Sequence, residues 1–190
     1  WTPANAATGQ NLNAIASNGT IAIVVGNNGT VRSTADGITW TGVTVPTTQN
    51  LYGITYTAAG YWVAVGAGGT VLTSADGVTW TAAASGTTAD LRAVAVQAYT
   101  TYTYVAVGDS GTILRSTDNG ATWTAQASPT QSNLLAVSAA STQFLVTGSS
   151  GTIATSVDGI TWTSRASGTT TDLYAVISAL AQYVAVGSGG

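Results

Sequence analysis

Apolar residues in this chain come in short runs, and the runs recur in a fixed order. Tyr104-Val105-Ala106-Val107-Gly108 is apolar almost throughout, and similar runs span Tyr61 to Gly66 and Tyr183 to Gly187. An unbroken apolar run that ends on glycine reads as a strand covered on both faces, where alternation is not needed. A Leu-x-Ala-Val-Ala-like run precedes it (Leu91 to Val96), and a Gly-Thr-Val-x-x-Ser-like run follows (Gly69 to Ser74). A fourth strand is expected to begin at each Thr-Trp-Thr. The second and third strands are separated by Asn27-Asn28-Gly29, Ala67-Gly68-Gly69 or Asp109-Ser110-Gly111, which read as tight turns.

The register of these units is tight. Trp1, Trp40, Trp80, Trp123 and Trp162 recur at intervals of about 40 residues, within the range of propeller repeats. A Leu follows each Trp at one constant offset (Leu12, Leu51, Leu91, Leu134, Leu173). Each unit then ends its second strand on a glycine: Gly26, Gly66, Gly108, Gly148 or Gly187. Four strands in about 40 residues, stacked with both faces covered, are what a propeller blade requires. Solenoid coils are shorter and carry fewer strands. The predicted fold is therefore all-β: a single β-propeller domain, residues 1–190, of four-stranded antiparallel blades, most simply five. The repeats run about 1–39, 40–79, 80–122, 123–161 and 162–190, the last incomplete. The usual Gly-to-Trp interval, counted on from Gly187, places the next Trp beyond Gly190. A closed ring of five such repeats needs about 200 residues, and the chain has 190. Trp1 is then expected to supply the outer strand of the last blade, whose third strand is missing. Either about ten residues were lost or the protein continues with more blades.

Composition narrows the chemistry. The chain has no Cys, His, Lys, Glu or Met; its charges are four Arg and seven Asp, 6% of residues and a net charge of −3. That excludes disulfides, thiolate metal sites and cysteine nucleophiles. Without a basic cluster, nucleic acid is not an expected partner. Apolar runs of about five residues are too short for membrane insertion. A start at Trp1 suggests a processed product or an excised piece. Richness in Thr, Ser, Gly and Ala without Lys suggests an extracellular, cell-surface or virion-associated setting. Asn18-Gly19-Thr20 and Asn28-Gly29-Thr30 match the glycosylation pattern, but Asn-Gly is also the favoured hairpin turn, which is the preferred reading.

The segment before each internal Trp resembles the Asp-box, or BNR repeat, Ser-x-Asp-x-Gly-x-Thr-Trp. Ser116-Thr117-Asp118-Asn119-Gly120-Ala121-Thr122-Trp123 matches at every position. Thr34 to Trp40, Ser74 to Trp80 and Ser156 to Trp162 are one residue shorter between Asp and Gly. The resemblance implies a β-propeller in which the box is a folding element, remote from active sites. Asp36, Asp76, Asp118 and Asp158 would bond their own turns, and Trp40, Trp80, Trp123 and Trp162 would bury apolar surface. It does not imply one activity, because the family's propellers include sialidases, xyloglucan-degrading glycosidases, sortilin-like receptors and a photosystem II assembly factor.

Catalytic groups are scarce. A sialidase's Tyr–Glu pair cannot exist without Glu, and the four Arg (Arg32, Arg92, Arg115, Arg165) read as solvated edge residues. Asn11, Asn50, Asp90, Asn133 and Asp172 share one repeat position, just before the first-strand Leu. The plain reading is a turn cap. The functional one is a ring at the channel mouth that holds a sugar, a peptide or a hard cation, although two carboxylates among five blades predict no tight metal. The longer third unit adds Tyr99 and Tyr102, candidate interface residues; Trp62, the one Trp outside the repeat position, is a third candidate that could stack on a sugar ring, although a packed strand position is the preferred reading. The chain is thus expected to be no enzyme and to need no cofactor. It is read as an extracellular structural or adhesive module, binding a protein partner or self-assembling on a surface, filament or virion. A lectin-like carbohydrate binder is the alternative, and a glycosidase the third possibility.

Overall fold

The computed structural model describes residues 5–6, 8–98, 101–179 and 182–189. Four sheets are four-stranded antiparallel meanders in sequence order. The first comprises β1 (Leu12–Ser17), β2 (Ala22–Gly26), β3 (Val31–Thr34) and β4 (Thr41–Val43). The second comprises β5 (Leu51–Tyr56), β6 (Trp62–Gly66), β7 (Val71–Ser74) and β8 (Thr81–Ala83). The third comprises β9 (Leu91–Ala98), β10 (Tyr102–Gly108), β11 (Ile113–Ser116) and β12 (Thr124–Ala125). The fourth comprises β13 (Leu134–Ala139), β14 (Phe144–Gly148), β15 (Ile153–Ser156) and β16 (Thr163–Arg165). Among the described residues, the fifth pairs β17 (Leu173–Ala179) with β18 (Gln182–Gly187). The expected role of Trp1 as an outer strand lies outside the described residues.

Third strands begin two residues later than the apolar pattern predicts, because Gly-Thr belongs to the turn: Thr70 N–H closes it on the Ala67 carbonyl at 3.1 Å. Fourth strands begin after the Trp rather than on it, at Thr41, Thr81, Thr124 and Thr163.

Successive sheets stack face to face, and the first strands touch in the order β1, β5, β9, β13, β17. This is β-propeller architecture. Trp62, Ala64 and Leu72 pack against Ile23, Val25 and Val31 of the preceding sheet. On the opposite face, Val63, Val65 and Val71 pack against Leu91, Tyr104, Ala106 and Leu114 of the following one. Both faces of a middle strand are therefore covered, which is why its sequence does not alternate. The same arrangement joins Val105, Val107 and Ile113 to Leu134, Phe144 and Val146.

The end sheets each keep one face that the described residues leave uncovered. Leu12 and Ile15 are 40% and 62% exposed, where Leu51 and Ile54 are 0% and 8%. Val184 and Val186 are 50% and 59% exposed, where Val63 and Val65 are fully buried.

Candidate functional site

The Asp of each box turn folds its own loop. Asp36 Oδ1 accepts the N–H groups of Ile38 (2.8 Å) and Thr39 (2.7 Å) and the Thr34 hydroxyl (2.9 Å). Asp76 and Asp158 repeat this with Val78 and Thr79, and with Ile160 and Thr161. In the longer box, Asn119 takes a left-handed φ of 60° to absorb the extra residue, and Asp118 accepts from Thr122 N–H at 2.9 Å. The N–H groups of Thr39 and Ile38 hold Asp36 well below the usual carboxylate range. Those of Thr79 and Val78 lower Asp76 to about 2. At Asp118 and Asp158 desolvation works the other way, but the hydrogen bonds prevail and both are lowered. Such carboxylates stay ionised and cannot serve as acids at neutral pH. Trp80, Trp123 and Trp162 donate their indole N–H to the box carbonyls of Gly77, Gly120 and Gly159. Trp80 and Trp162 are buried, and Trp40 and Trp123 half-buried.

The opposite end of each sheet carries the turn between second and third strands. Here the Asn/Asp position makes two kinds of bond. Its backbone carbonyl accepts from its own sheet's turn: Asn11 from Asn27, Asn50 from Ala67, Asp90 from Asp109, Asn133 from Ser149 and Asp172 from Ser188, at 2.8–3.0 Å. Its side-chain oxygen reaches the preceding sheet's turn. Asn50 accepts from Asn28 N–H, Asp90 from Gly68, Asn133 from Ser110 and Asp172 from Ser150, at 2.9–3.0 Å. Either Asn or Asp supplies the needed acceptor, so the position tolerates both. The strand-ending glycine is required by close approach: a Cβ on Gly66 would lie 2.0 Å from the Asn50 carbonyl oxygen.

Just inside this ring of clasps, every first strand carries a β-bulge. Leu51 pairs with Gly66 and Gly53 with Val65, which leaves Tyr52 as the extra residue. The same shift leaves Asn13, Arg92, Leu135 and Tyr174 unpaired in their sheets. A bulge re-aims a side chain out of the sheet's regular alternation. Two of these residues meet: the Arg92 guanidinium carbon stands 4.9 Å from the centre of the Tyr52 ring. Arg92 donates through Nε and Nη2 to both oxygens of Asp109, at 2.8 and 2.7 Å, and lies 3.3 Å from Asp90. Its bonds to Asp109 raise it further above the ordinary guanidinium value. All three side chains of the ion-paired group are about a third exposed, so the cluster is held rigidly yet remains reachable. Among the described residues, no three carboxylates gather into a metal site.

Several expectations need correcting. Arg92 is not a solvated edge residue, because it sits on the innermost strand between two carboxylates. Arg115 is half-buried and donates to the Asp158 carbonyl of the next sheet, whereas Arg165 is an exposed residue of the outer strand β16, where it donates to the Thr155 hydroxyl. Of the two readings of Trp62, the structure supports the packed strand position and not the interface: it is 1% exposed and occupies the core place held by Tyr104 and Phe144 in the next two sheets. Tyr102 is half-buried against the core between second and third sheets; Tyr99 lies outside the described residues. Sequence reasoning missed the bulge residues. Their signal is that the position after the repeat Leu reads Asn, Tyr, Arg, Leu, Tyr, whereas the Leu before it never changes.

A family model described as photosynthesis system II assembly factor YCF48 matches residues 31–190. Among solved structures, the chain is similar to one described as YCF48 bound to D1 peptide: TM-score 0.70, 17% identity, 90% of this chain and 58% of that one. It is also similar to YCF48 from Cyanidioschyzon merolae: TM-score 0.65, 19% identity, 88% of this chain and 61% of that one. It thus spans about three-fifths of the length of these relatives, and at such identities the structural likeness shows the fold alone. No curated protein matches. The family match overturns the expected extracellular, cell-surface or virion-associated setting and the adhesive role. It equally overturns the lectin-like alternative and the terms secreted, adhesion and carbohydrate binding. The hydroxyl-rich composition that suggested them has a structural cause: Thr34, Ser74, Ser116 and Ser156 hold the box turns.

Proposed function

We propose, from the premise that this chain belongs to the photosynthesis system II assembly factor YCF48 family, that it holds an extended protein segment on the turn face of its sheets. Members of this BNR-repeat family are assembly factors, and the chain is not an enzyme. The four Ser/Thr-x-Asp turns are read as Asp-boxes of that family, on the strength of their shared hydrogen bonds. The segment is a stretch of a photosystem II subunit of the D1 kind, by analogy with the relative described as bound to a D1 peptide.

The observation that carries this reading is the bulge series. Tyr52, Arg92, Leu135 and Tyr174 present three different side-chain types on a scaffold that otherwise repeats, and they stand on adjacent inner strands. Tyr and Arg are the side chains that most often dominate binding energy at protein interfaces. Asn50, Asp90, Asn133 and Asp172 act one step behind. Their oxygens hold the turns, and Asp90 with Asp109 fixes the guanidinium that faces the partner.

Titrating the chain with a synthetic D1 peptide by calorimetry tests the proposal. Arg92→Ala and Tyr52→Ala should each weaken binding about tenfold or more, equivalent to roughly 1.4 kcal/mol. Arg165→Ala, on an outer strand, should leave it unchanged. Wild-type affinity in both inner-strand variants would remove this site from consideration.

A further inference from the structure

We propose that Asp109 selects the charge of the segment bound on the turn face, and that this segment sets a basic side chain, Lys or Arg, against the Arg92 cluster. The inference rests on the turn-face reading and adds to it the chemistry of the partner.

The contact that holds Arg92 is one of a series. In three sheets the bulge residue of the first strand meets the first residue of the turn after the second strand. Asn13 Nδ2 donates to Asn27 Oδ1 at 3.0 Å in the first sheet, and the Ser188 hydroxyl donates to the Tyr174 hydroxyl at 2.9 Å in the fifth. In the third, Arg92 donates to both oxygens of Asp109. Two neutral pairs make the contact that the charged pair makes, so fixing a bulge residue requires no ion pair. The turn does not require the carboxylate either. It is held by the backbone of Asp109, whose N–H reaches the Asp90 carbonyl and whose own carbonyl accepts from Thr112 N–H. Ala67 and Ser149 do the same in the neighbouring sheets. The charge of Asp90 is likewise not needed for its clasp on Gly68, which the neutral Asn50 and Asn133 make equally well elsewhere.

The third sheet therefore gathers three charged groups where the fold asks for none, and their balance is negative. Arg92 Nη2 lies 2.7 Å from Asp109 and 3.3 Å from Asp90, so one guanidinium serves two carboxylates. Among the described residues, Arg92 is the one cation on the inner strands and the turns beside them, where Asp90, Asp109 and Asp172 also stand. Arg32, Arg115 and Arg165 belong to third and fourth strands, further out. Hydrogen-bonding capacity leans the same way. Nε and Nη2 of Arg92 are engaged, whereas each Asp109 oxygen keeps a further lone pair. An incoming carboxylate would be repelled and would have to displace Asp109. An ammonium or guanidinium finds charge-assisted acceptors already in place.

The probe is a fluorescent synthetic D1 peptide, made in versions that carry a single Lys or a single Glu at successive positions and titrated by anisotropy. Over one short stretch of the peptide, the Lys version should bind about fivefold more tightly than the Glu version at low salt. The gap should narrow as salt is raised. It should close in Asp109→Asn, which leaves Arg92 opposite Asp90 alone. If Asp109 only positioned Arg92, the variant would weaken Lys and Glu versions alike, and the proposal would be overturned. It is also overturned by a preference for Glu, or by a Lys preference spread evenly along the peptide, which the net charge of the whole chain would produce. Those results leave the turn-face site standing. Wild-type affinity for the unmodified peptide in both Arg92→Ala and Tyr52→Ala removes the site, and this inference with it.

Discussion

Each box carboxylate accepts hydrogen bonds from N–H groups two to four residues further along, so its charge and its turn form together. A group whose folded value is depressed contributes stability above its unfolded value and loses it as pH falls through the folded one. For Asp76 those limits are 3.8 and about 2. The chain has no His and no Cys, the side chains whose ordinary values lie between about pH 5 and pH 9. Thermal unfolding followed by circular dichroism should therefore give a Tm that is flat from about pH 8 to pH 4 and falls toward pH 2. Asp76→Asn should make that acid fall shallower. A fall centred above about pH 5 would show that other groups control it. The role of the box was legible in sequence because all its partners lie within a few residues. The burial of Trp62 was legible only in part: its neighbour Tyr61 masked the alignment that places it in the core beside Tyr56, at a ring separation of 4.5 Å.

Among elements, the clasp between a turn and the next first strand joins residues 22 or 23 apart in sequence and so links successive sheets. The middle turn residue is held in a left-handed conformation, with φ of 54°, 60°, 53° and 56° in the four turns. Gly68 adopts this freely; Asn28, Ser110 and Ser150 do so at some cost, which the clasp offsets. Removing the acceptor should release the turn. Asn133→Ala is expected to lower stability by about 1 kcal/mol in urea unfolding and to speed amide exchange at Ser110, whereas Asn133→Asp should keep both near wild type. Unchanged exchange at Ser110 in the alanine variant would argue against a clasp. The Asn/Asp pattern was visible along the chain. Its partner was not, because nothing local says that a side chain reaches into the preceding repeat rather than its own.

At the scale of the molecule, stability resides between sheets, where apolar side chains of one middle strand meet those of the next. The fourth sheet breaks the pattern at one point. Thr147 stands where the second and third sheets have Val65 and Val107; it is fully buried, and its hydroxyl has no hydrogen-bond partner among the described residues. A buried donor left unpaired is destabilising, and valine has nearly the same shape. Thr147→Val should raise unfolding stability by about 1 kcal/mol in chemical denaturation. A loss of stability would mean that the hydroxyl is satisfied in solution.

The amino-acid sequence by itself determined the all-β class, the order of strands within each sheet, the four box turns and the apolar middle strands. Those features depend on contacts inside one repeat, or on burial so complete that it marks the composition of a whole run. Tertiary structure alone decided which side chains the bulges turn outward, that Arg92 lies over Tyr52 one repeat away, and that Asp90 serves the preceding turn. Those outcomes depend on how consecutive sheets stack, and the residues that meet across a stack are about one repeat apart, too far for any local pattern to announce them.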